Sequence, residues 1–100
     1  MALMIVDAHV QQQFSKRLKD LRHDAGMRQL DVAHALNVSR KSISHYEVGK
    51  RLPDIVRLSQ LADLFDCTTD YLLGRTAIKE DWATLLRKYG SNALKVAETP

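Results

Sequence analysis

Apolar residues recur along this chain with a helical period, and short polar or glycine-containing breaks separate the runs. Phe14, Leu18, Leu21 and Ala25 fall on one face of a first segment, with Lys16, Arg17, Lys19 and Asp20 between them. Gly26 follows, suited to the left-handed position that ends a helix. Leu30, Ala33 and Leu36 mark a short second helix, and Asn37 after it tolerates a positive φ better than most residues. Ser39 reads as the N-cap of a third helix, which runs through Ile43 and Tyr46 and ends near Gly49. Pro53-Asp54 opens a fourth, carried by Ile55, Leu58, Leu61, Ala62 and Phe65. Thr68 or Thr69 caps a short fifth, with Tyr71, Leu72 and Leu73 inward and Gly74 closing it. After a polar break, Trp82, Leu85, Leu86 and Tyr89 fall at i, i+3, i+4 and i+7 and predict a sixth, amphipathic helix ending at Gly90. Residues 91–100 have a weaker pattern and are expected to fray. No segment alternates with period two long enough for a sheet; only Leu3 to Val6 fits a short strand, or else an apolar arm.

The expected fold is all-α. An N-terminal arm covers 1–13, a compact five-helix domain 14–74, and an additional C-terminal amphipathic helix with its tail 75–100. The connections are about the two to eight residues usual between helices of a bundle. No internal repeat is visible.

Composition sets outer limits. One hundred residues, 45% hydrophobic and 27% charged, make about one ordinary globular domain. No run approaches the roughly 18 apolar residues that span a bilayer. The apolar start, Met1 to Val6, lacks a basic beginning and a small-residue cleavage site, so a signal peptide is not expected. The single cysteine, Cys67, forms no intramolecular disulfide and reads as a buried or half-buried loop thiol. A cytoplasmic placement follows as the expectation. Net charge is +3, but its distribution matters more. From Lys16 to Arg51 nine Lys and Arg face four acids, a balance of +5, whereas from Asp54 to Asp70 one base faces four acids, a balance of −3. One half is therefore suited to a polyanion.

The basic half contains the most informative stretch, Gln29 to Val48. Two short helices are joined there by a turn of three or four residues. Small Ala33 permits close crossing, and Val38 and Ile43 face inward across the turn. This is the spacing of a helix-turn-helix, whose second helix enters the DNA major groove. Residues 14–74 resemble the phage-repressor/Cro-type helix-turn-helix (XRE) family of transcriptional regulators. The resemblance rests on Phe14-Ser-Lys-Arg-Leu-Lys-Asp-Leu-Arg22, Gln29-Leu-Asp-Val-Ala33, Val38-Ser-Arg-Lys-Ser-Ile-Ser-His-Tyr-Glu47, Gly49-Lys-Arg-Leu-Pro53, Leu61-Ala-Asp-Leu-Phe65 and Asp70-Tyr-Leu-Leu-Gly74.

The resemblance implies roles. Arg40, Lys41, Ser44 and His45 take the base-reading positions of the recognition helix, and Arg40 and Lys41 suit the O6 and N7 acceptors of guanine. Arg28, Gln29, Ser39, Lys50 and Arg51 take phosphate-contacting positions. Arg22 and Glu47 match a pair that ties the first helix to the end of the third. Three positions depart from the family pattern. Arg28 stands where Ser or Thr caps the second helix, a loss of about 1 kcal/mol. Asn37 replaces a turn glycine, and Val48 an asparagine that contacts phosphate.

Other chemistry finds little support. Histidines 9, 23, 34 and 45 never fall three or four apart and have no cysteine beside them, so no metal is expected. Ser39, Ser42 and Ser44 lie near His45 without an acid to complete a triad, and there is no phosphate-binding or dinucleotide fingerprint, so catalysis is not expected. No cofactor, small-molecule ligand or membrane partner is implied. The expected partner is double-stranded DNA, read as a palindromic operator by a homodimer acting as a repressor. Trp82, Leu85, Leu86 and Tyr89 are the dimerisation candidates, with the Leu3–Val6 arm second. The alternative is a protein-interaction module that keeps the fold, such as an antitoxin or a regulator's partner. The bases at 40, 41, 50 and 51 favour DNA.

Overall fold

Six α-helices follow one another between residues 2 and 90, the span that the computed structural model describes, with side chains described from residue 8. They are α1 (Ala2–Asp24), α2 (Gln29–Leu36), α3 (Arg40–Glu47), α4 (Ile55–Leu64), α5 (Thr69–Leu72) and α6 (Trp82–Tyr89), and no described residue lies in a strand. The fold class is all-α. The fraying expected of residues 91–100 lies outside the described span.

The first helix corrects one expectation. It begins at Ala2 and runs without a break through the boundary placed at residue 14. Leu3 to Val6 therefore lie in a helix, neither in a strand nor in a separate arm. No Gly or Pro occurs between Ala2 and Asp24, so nothing local stops the helix from extending toward the N-terminus.

Helix ends are set by local backbone chemistry. At Gly26 (φ 67°) the Gly26 amide donates to the His23 carbonyl at 3.0 Å and the Met27 amide to the Arg22 carbonyl at 3.0 Å. This paired pattern satisfies carbonyls that the helix end would otherwise leave open. Asn37 (φ 56°) repeats it with His34 and Ala33, and Asp66 (φ 51°) with Asp63 and Ala62. Asp54, Thr68 and Asp81 cap the starts of α4, α5 and α6 by accepting from Arg57, Tyr71 and Thr84 amides at 2.8, 3.0 and 2.7 Å. Gly74 has a second reason to be glycine. A Cβ there would come within 2.7 Å of the Gln13 side chain, so the end of α5 approaches α1 too closely for any other residue.

The core joins Phe14, Leu18 and Leu21 of α1 to Val32, Ala33 and Leu36 of α2, Ile43 and Tyr46 of α3, Leu61 and Ala62 of α4 and Leu72 of α5. Phe14 meets Tyr46 edge-on, ring centroids 6.2 Å apart. Val38, Leu58, Phe65 and Tyr71 pack against this cluster from partly buried positions. Three periodicity assignments shift. Ala25 is exposed just past the end of α1, and Val32 rather than Leu30 fills the core from α2. Ile55 is 86% exposed, because it opens α4 one turn before that helix's packed face begins at Leu58.

Candidate nucleic-acid interface

The turn between α2 and α3 is short because both flanking positions are solved locally. Asn37 reverses the chain, and the Val38 amide donates to the Ala33 carbonyl at 3.0 Å. Ser39 then starts α3, its Oγ accepting from the Ser42 amide at 3.1 Å. Ser39 is thus engaged as a cap, with its hydroxyl also 3.1 Å from the Ser42 hydroxyl. Buried Ile43 and Tyr46 anchor α3. Ser15, which the sequence reading did not single out, is buried and donates from Oγ to the Tyr46 carbonyl at 2.7 Å. With that face fixed, Arg40 and Lys41 are exposed, and Ser44 and His45 are half-buried.

A chain of hydrogen bonds crosses the motif. Arg22 meets Glu47 twice, Nε to Oε2 at 2.6 Å and a terminal nitrogen to Oε1 at 3.0 Å, with the two side chains only 11% and 3% exposed. Arg22 also donates to the Met27 carbonyl at 2.9 Å. Glu47 Oε1 accepts in addition from Gln29 Nε2 at 3.2 Å, and Gln29 Oε1 accepts from Arg40 at 3.1 Å. The pair expected to tie the first helix to the third therefore reaches Gln29 through Glu47, and Arg40 through Gln29. The bridging by Gln29 carries no sequence signal, because its two contacts lie 18 and 11 positions away and depend on how the helices pack.

Arg28 starts α2 without capping it by its side chain. The missing cap is compensated from the third helical position. The Asp31 carboxylate accepts from the Arg28 amide at 2.8 Å and pairs with the Arg28 guanidinium at 2.8 Å. These side-chain and backbone hydrogen bonds from Arg28 hold the Asp31 carboxyl down at about 2. Lys50 and Arg51 are exposed just beyond α3, where the Lys50 amide closes the helix onto the His45 carbonyl at 3.0 Å.

Charge at the helix starts separates α3 from its neighbours. Asp31 lies in the first turn of α2, Asp54 and Asp81 cap α4 and α6, and Asp70 lies in the first turn of α5. Each places a carboxylate at the positive end of a helix dipole. Helix α3 has no acid there and begins with Arg40 and Lys41. Two cations at a positive helix end cost a few tenths of a kcal/mol to about 1 kcal/mol each, a misfit that an external anion relieves.

The remaining candidates are placed as follows. On α6, Trp82, Leu86 and Tyr89 are exposed while Leu85 is buried, so the four do not form one exposed stripe. Cys67 is half-buried, and burial pushes its thiol up to about 11, which keeps it protonated at neutral pH. Among the described residues no His, Cys, Asp and Glu gather to hold a metal ion. No described helix is long and apolar enough to cross a membrane.

Residues 18–72 match the model of the helix-turn-helix family. The chain is similar to the HTH-type transcriptional regulator ImmR of Bacillus subtilis, 38% identical over 81 residues that cover 80% of this chain and 64% of that protein. It is also similar to the cryptic phage CTXphi transcriptional repressor RstR of Vibrio cholerae, 32% identical over 72 residues that cover 72% of this chain and 64% of that one. It thus spans just under two thirds of the length of both regulators. The crystal structure of a transcriptional regulator from Listeria innocua superposes with a TM-score of 0.60 at 30% identity, covering 83% of this chain and 76% of that one.

Proposed function

We propose that this chain, which belongs to the helix-turn-helix family, is a sequence-specific double-stranded-DNA-binding regulator that acts as a repressor, two copies engaging a palindromic operator. The observation that carries the reading is the start of α3. It alone among α2 to α6 opens on bases, and both are exposed. A recognition helix docks with its N-terminal side chains at base edges, inside a groove walled by phosphates. That environment supplies the negative potential that Arg40 and Lys41 lack within the fold. The same charges argue against a module that keeps the fold only for protein contacts, which has no electrostatic use for them.

In this reading Arg40, Lys41, Ser44 and His45 face bases. Lys50, Arg51, Arg28 and the Gln29 amide lie against the backbone, and Ser39 acts mainly by starting α3. One recognition helix reads a half-site, so a two-fold related copy about 34 Å along the duplex supplies the second. Trp82, Leu86 and Tyr89 are the surface we assign to that pairing, with Leu85 bracing them from the buried side.

Selection of binding sites from random duplexes tests this directly. The expected outcome is an inverted repeat bound with a steep salt dependence, about −0.9 in log–log slope for each phosphate neutralised. Recovery of no preferred sequence, or a flat salt response on the selected one, would remove the reading.

A further inference from the structure

The N-terminal half of α1 runs past the C-terminal end of α3. Buried Ser15 ties the two together there, donating from Oγ to the Tyr46 carbonyl at 2.7 Å. The turn after α3 passes close by. A Cβ on Gly49 would lie 3.6 Å from Ser15 Oγ and 3.9 Å from the Gln11 side chain. Between helix and turn opens a groove of about 510 Å³, lined by Ala8, Gln11, Lys16 and Lys19 of α1 and by Val48 and Gly49. The other side of α1 is occupied, with Gln13 against Gly74 and Arg17 donating to the Tyr71 and Thr76 carbonyls. Lys16 and Lys19 are exposed, as is Val48. We propose that this groove is a second backbone-contact surface for DNA: one sugar–phosphate strand lies in it, with phosphates on Lys16 and Lys19 and deoxyribose against Val48. The inference rests on the DNA-binding reading given above. Apart from Lys19, its α1 residues precede the residues 18–72 that match the family, so the contact belongs to the N-terminal extension of α1.

Continuity and charge identify the occupant. Helix α3 has eight residues, about 12 Å of helix, and the major groove of DNA is about 12 Å wide. With Arg40 and Lys41 at base edges, the far end of α3 comes out at a strand that walls the groove. Val48 and Gly49 sit at that end and lead directly into exposed Lys50 and Arg51. The charge has the matching sign. Lys16 and Lys19 are three positions apart on one helix face, with Cβ atoms about 5–6 Å from each other. That spacing lets them meet neighbouring phosphates of one strand. Two acids stand near them. Glu47 is held by Arg22 and is 3% exposed, so its charge is already matched. Asp20 meets Lys16 at 2.7 Å, but exposed pairs of this kind are weak and yield to a stronger anion. An apolar ligand or a neutral peptide would leave both ammonium groups unused.

The test is salt-dependent binding by the full chain and by Lys19→Gln, Lys16→Gln/Lys19→Gln, Ala8→Glu and Arg75→Gln. The duplexes are one half-site of the selected sequence and a random sequence of equal length, with phosphate-ethylation interference on the half-site. Arg75 is exposed beside α5 and is the charge control. All four positions are exposed, so melting should stay close to the parent. The double variant should show a log–log salt slope shallower by about 1.8, or about 0.9 for each lysine. By the same relation its affinity at 0.1 M salt should fall about eightfold per lysine, similarly on both duplexes. Preference at each base should hold, because backbone contacts carry no sequence information. At least one phosphate whose ethylation blocks the parent should no longer matter to the double variant. Ala8→Glu should weaken both duplexes, and Arg75→Gln should leave the slope unchanged.

A double variant with the parent's slope and ethylation pattern overturns the groove contact alone, since the parent still selects its site. A drop in slope as large for Arg75→Gln as for Lys19→Gln assigns the effect to net charge and overturns the contact too. Lost preference at one base would make the lysines base readers and not backbone contacts. A parent that selects no sequence removes the DNA-binding reading, and the role of the groove with it.

Discussion

Arg17 lies over the ring of Tyr71, its guanidinium carbon 4.2 Å from the centroid, and donates to the carbonyls of Tyr71 and Thr76. One side chain on α1 thus secures both α5 and the segment leading to α6. Lys79 stands 5.9 Å from the same ring, and its carbonyl accepts from the Thr68 amide at 2.9 Å, so that segment is fixed at a second point. A cation over an aromatic face and hydrogen bonds from a charged donor each contribute of order 1–2 kcal/mol in partly buried settings.

Arg17→Met keeps the aliphatic stem and removes both interactions. We expect it to lower unfolding stability by about 2 kcal/mol in urea titrations. Tyr71→Phe keeps the ring and the carbonyl and should stay within about 0.5 kcal/mol of the parent. Equal losses in both would assign the effect to the Tyr71 hydroxyl instead.

The Arg22–Glu47 pair is buried, and that decides the size of its effect. Removing one partner leaves an uncompensated charge out of water, which costs about 3–5 kcal/mol, against under about 1 kcal/mol for an exposed pair. Glu47→Gln and Arg22→Met should each fall in the larger range in denaturant melts. The double change Arg22→Met/Glu47→Leu should recover part of the loss, because it leaves no unpaired charge. Single changes below about 1 kcal/mol would mean that packing of Ile43 and Tyr46 holds α3 unaided.

Much of this fold is readable because its helix ends are local events. Gly26, Asn37, Ser39 and Asp54 each act on residues within five positions, and their chemistry shows in the sequence. Asp66 performs the same left-handed turn as Asn37, but aspartate marks such a turn too weakly to be singled out. Helical periodicity weakens before Phe14, so the apolar pattern alone starts the first helix later than Ala2, although no Gly or Pro there forbids a helix. The helical spacing of Ile55 to Leu58 predicts an inward position, but periodicity does not say where a neighbouring helix stops covering a face, and Ile55 is exposed. The link from Glu47 through Gln29 to Arg40, and the Arg17–Tyr71 contact, join residues 11 to 54 positions apart. Only packing creates them. The Arg22–Glu47 pairing is implied by the family resemblance and not by the pattern of the chain itself.

Asp31 gives a pH dependence with a definite sign. Its carboxyl is held at about 2 in the folded chain, below the value near 4 of an unfolded aspartate. A depressed value means that folding favours the ionised form, so its contribution is complete above about pH 4 and is lost as pH falls toward about 2. Urea midpoints at several pH values should show Asp31→Asn less stable than the parent at pH 5, with the gap closing by pH 2. A gap constant over that range would mean that the Asp31–Arg28 contacts do not stabilise α2. Glu80 and Asp81 are also shifted down, through the Lys88 and Thr84 contacts respectively, so the variant should keep some acid sensitivity.

Helix α6 offers the sharpest test of self-association. Asp81 caps it, and Lys88 meets Glu80 at 3.1 Å, so it is a defined element. Leu85 is buried, whereas Trp82, Leu86 and Tyr89 are exposed on the same short helix. Deleting everything after Arg75 would also remove the Thr76 and Lys79 carbonyls that bind Arg17 and Thr68, and so would confuse association with stability. The cleaner variant is Trp82→Gln/Leu86→Gln/Tyr89→Gln in the full chain. Exposed positions change stability by no more than about 0.5 kcal/mol each when they pack only against solvent. We expect this variant to melt close to the parent and to run as a monomer in light scattering where the parent is a dimer. Affinity for a selected inverted repeat should fall, while affinity for a single half-site should hold. A variant that remains dimeric would move the interface elsewhere, with the exposed Leu52, Ile55 and Val56 at the start of α4 the next surface to substitute.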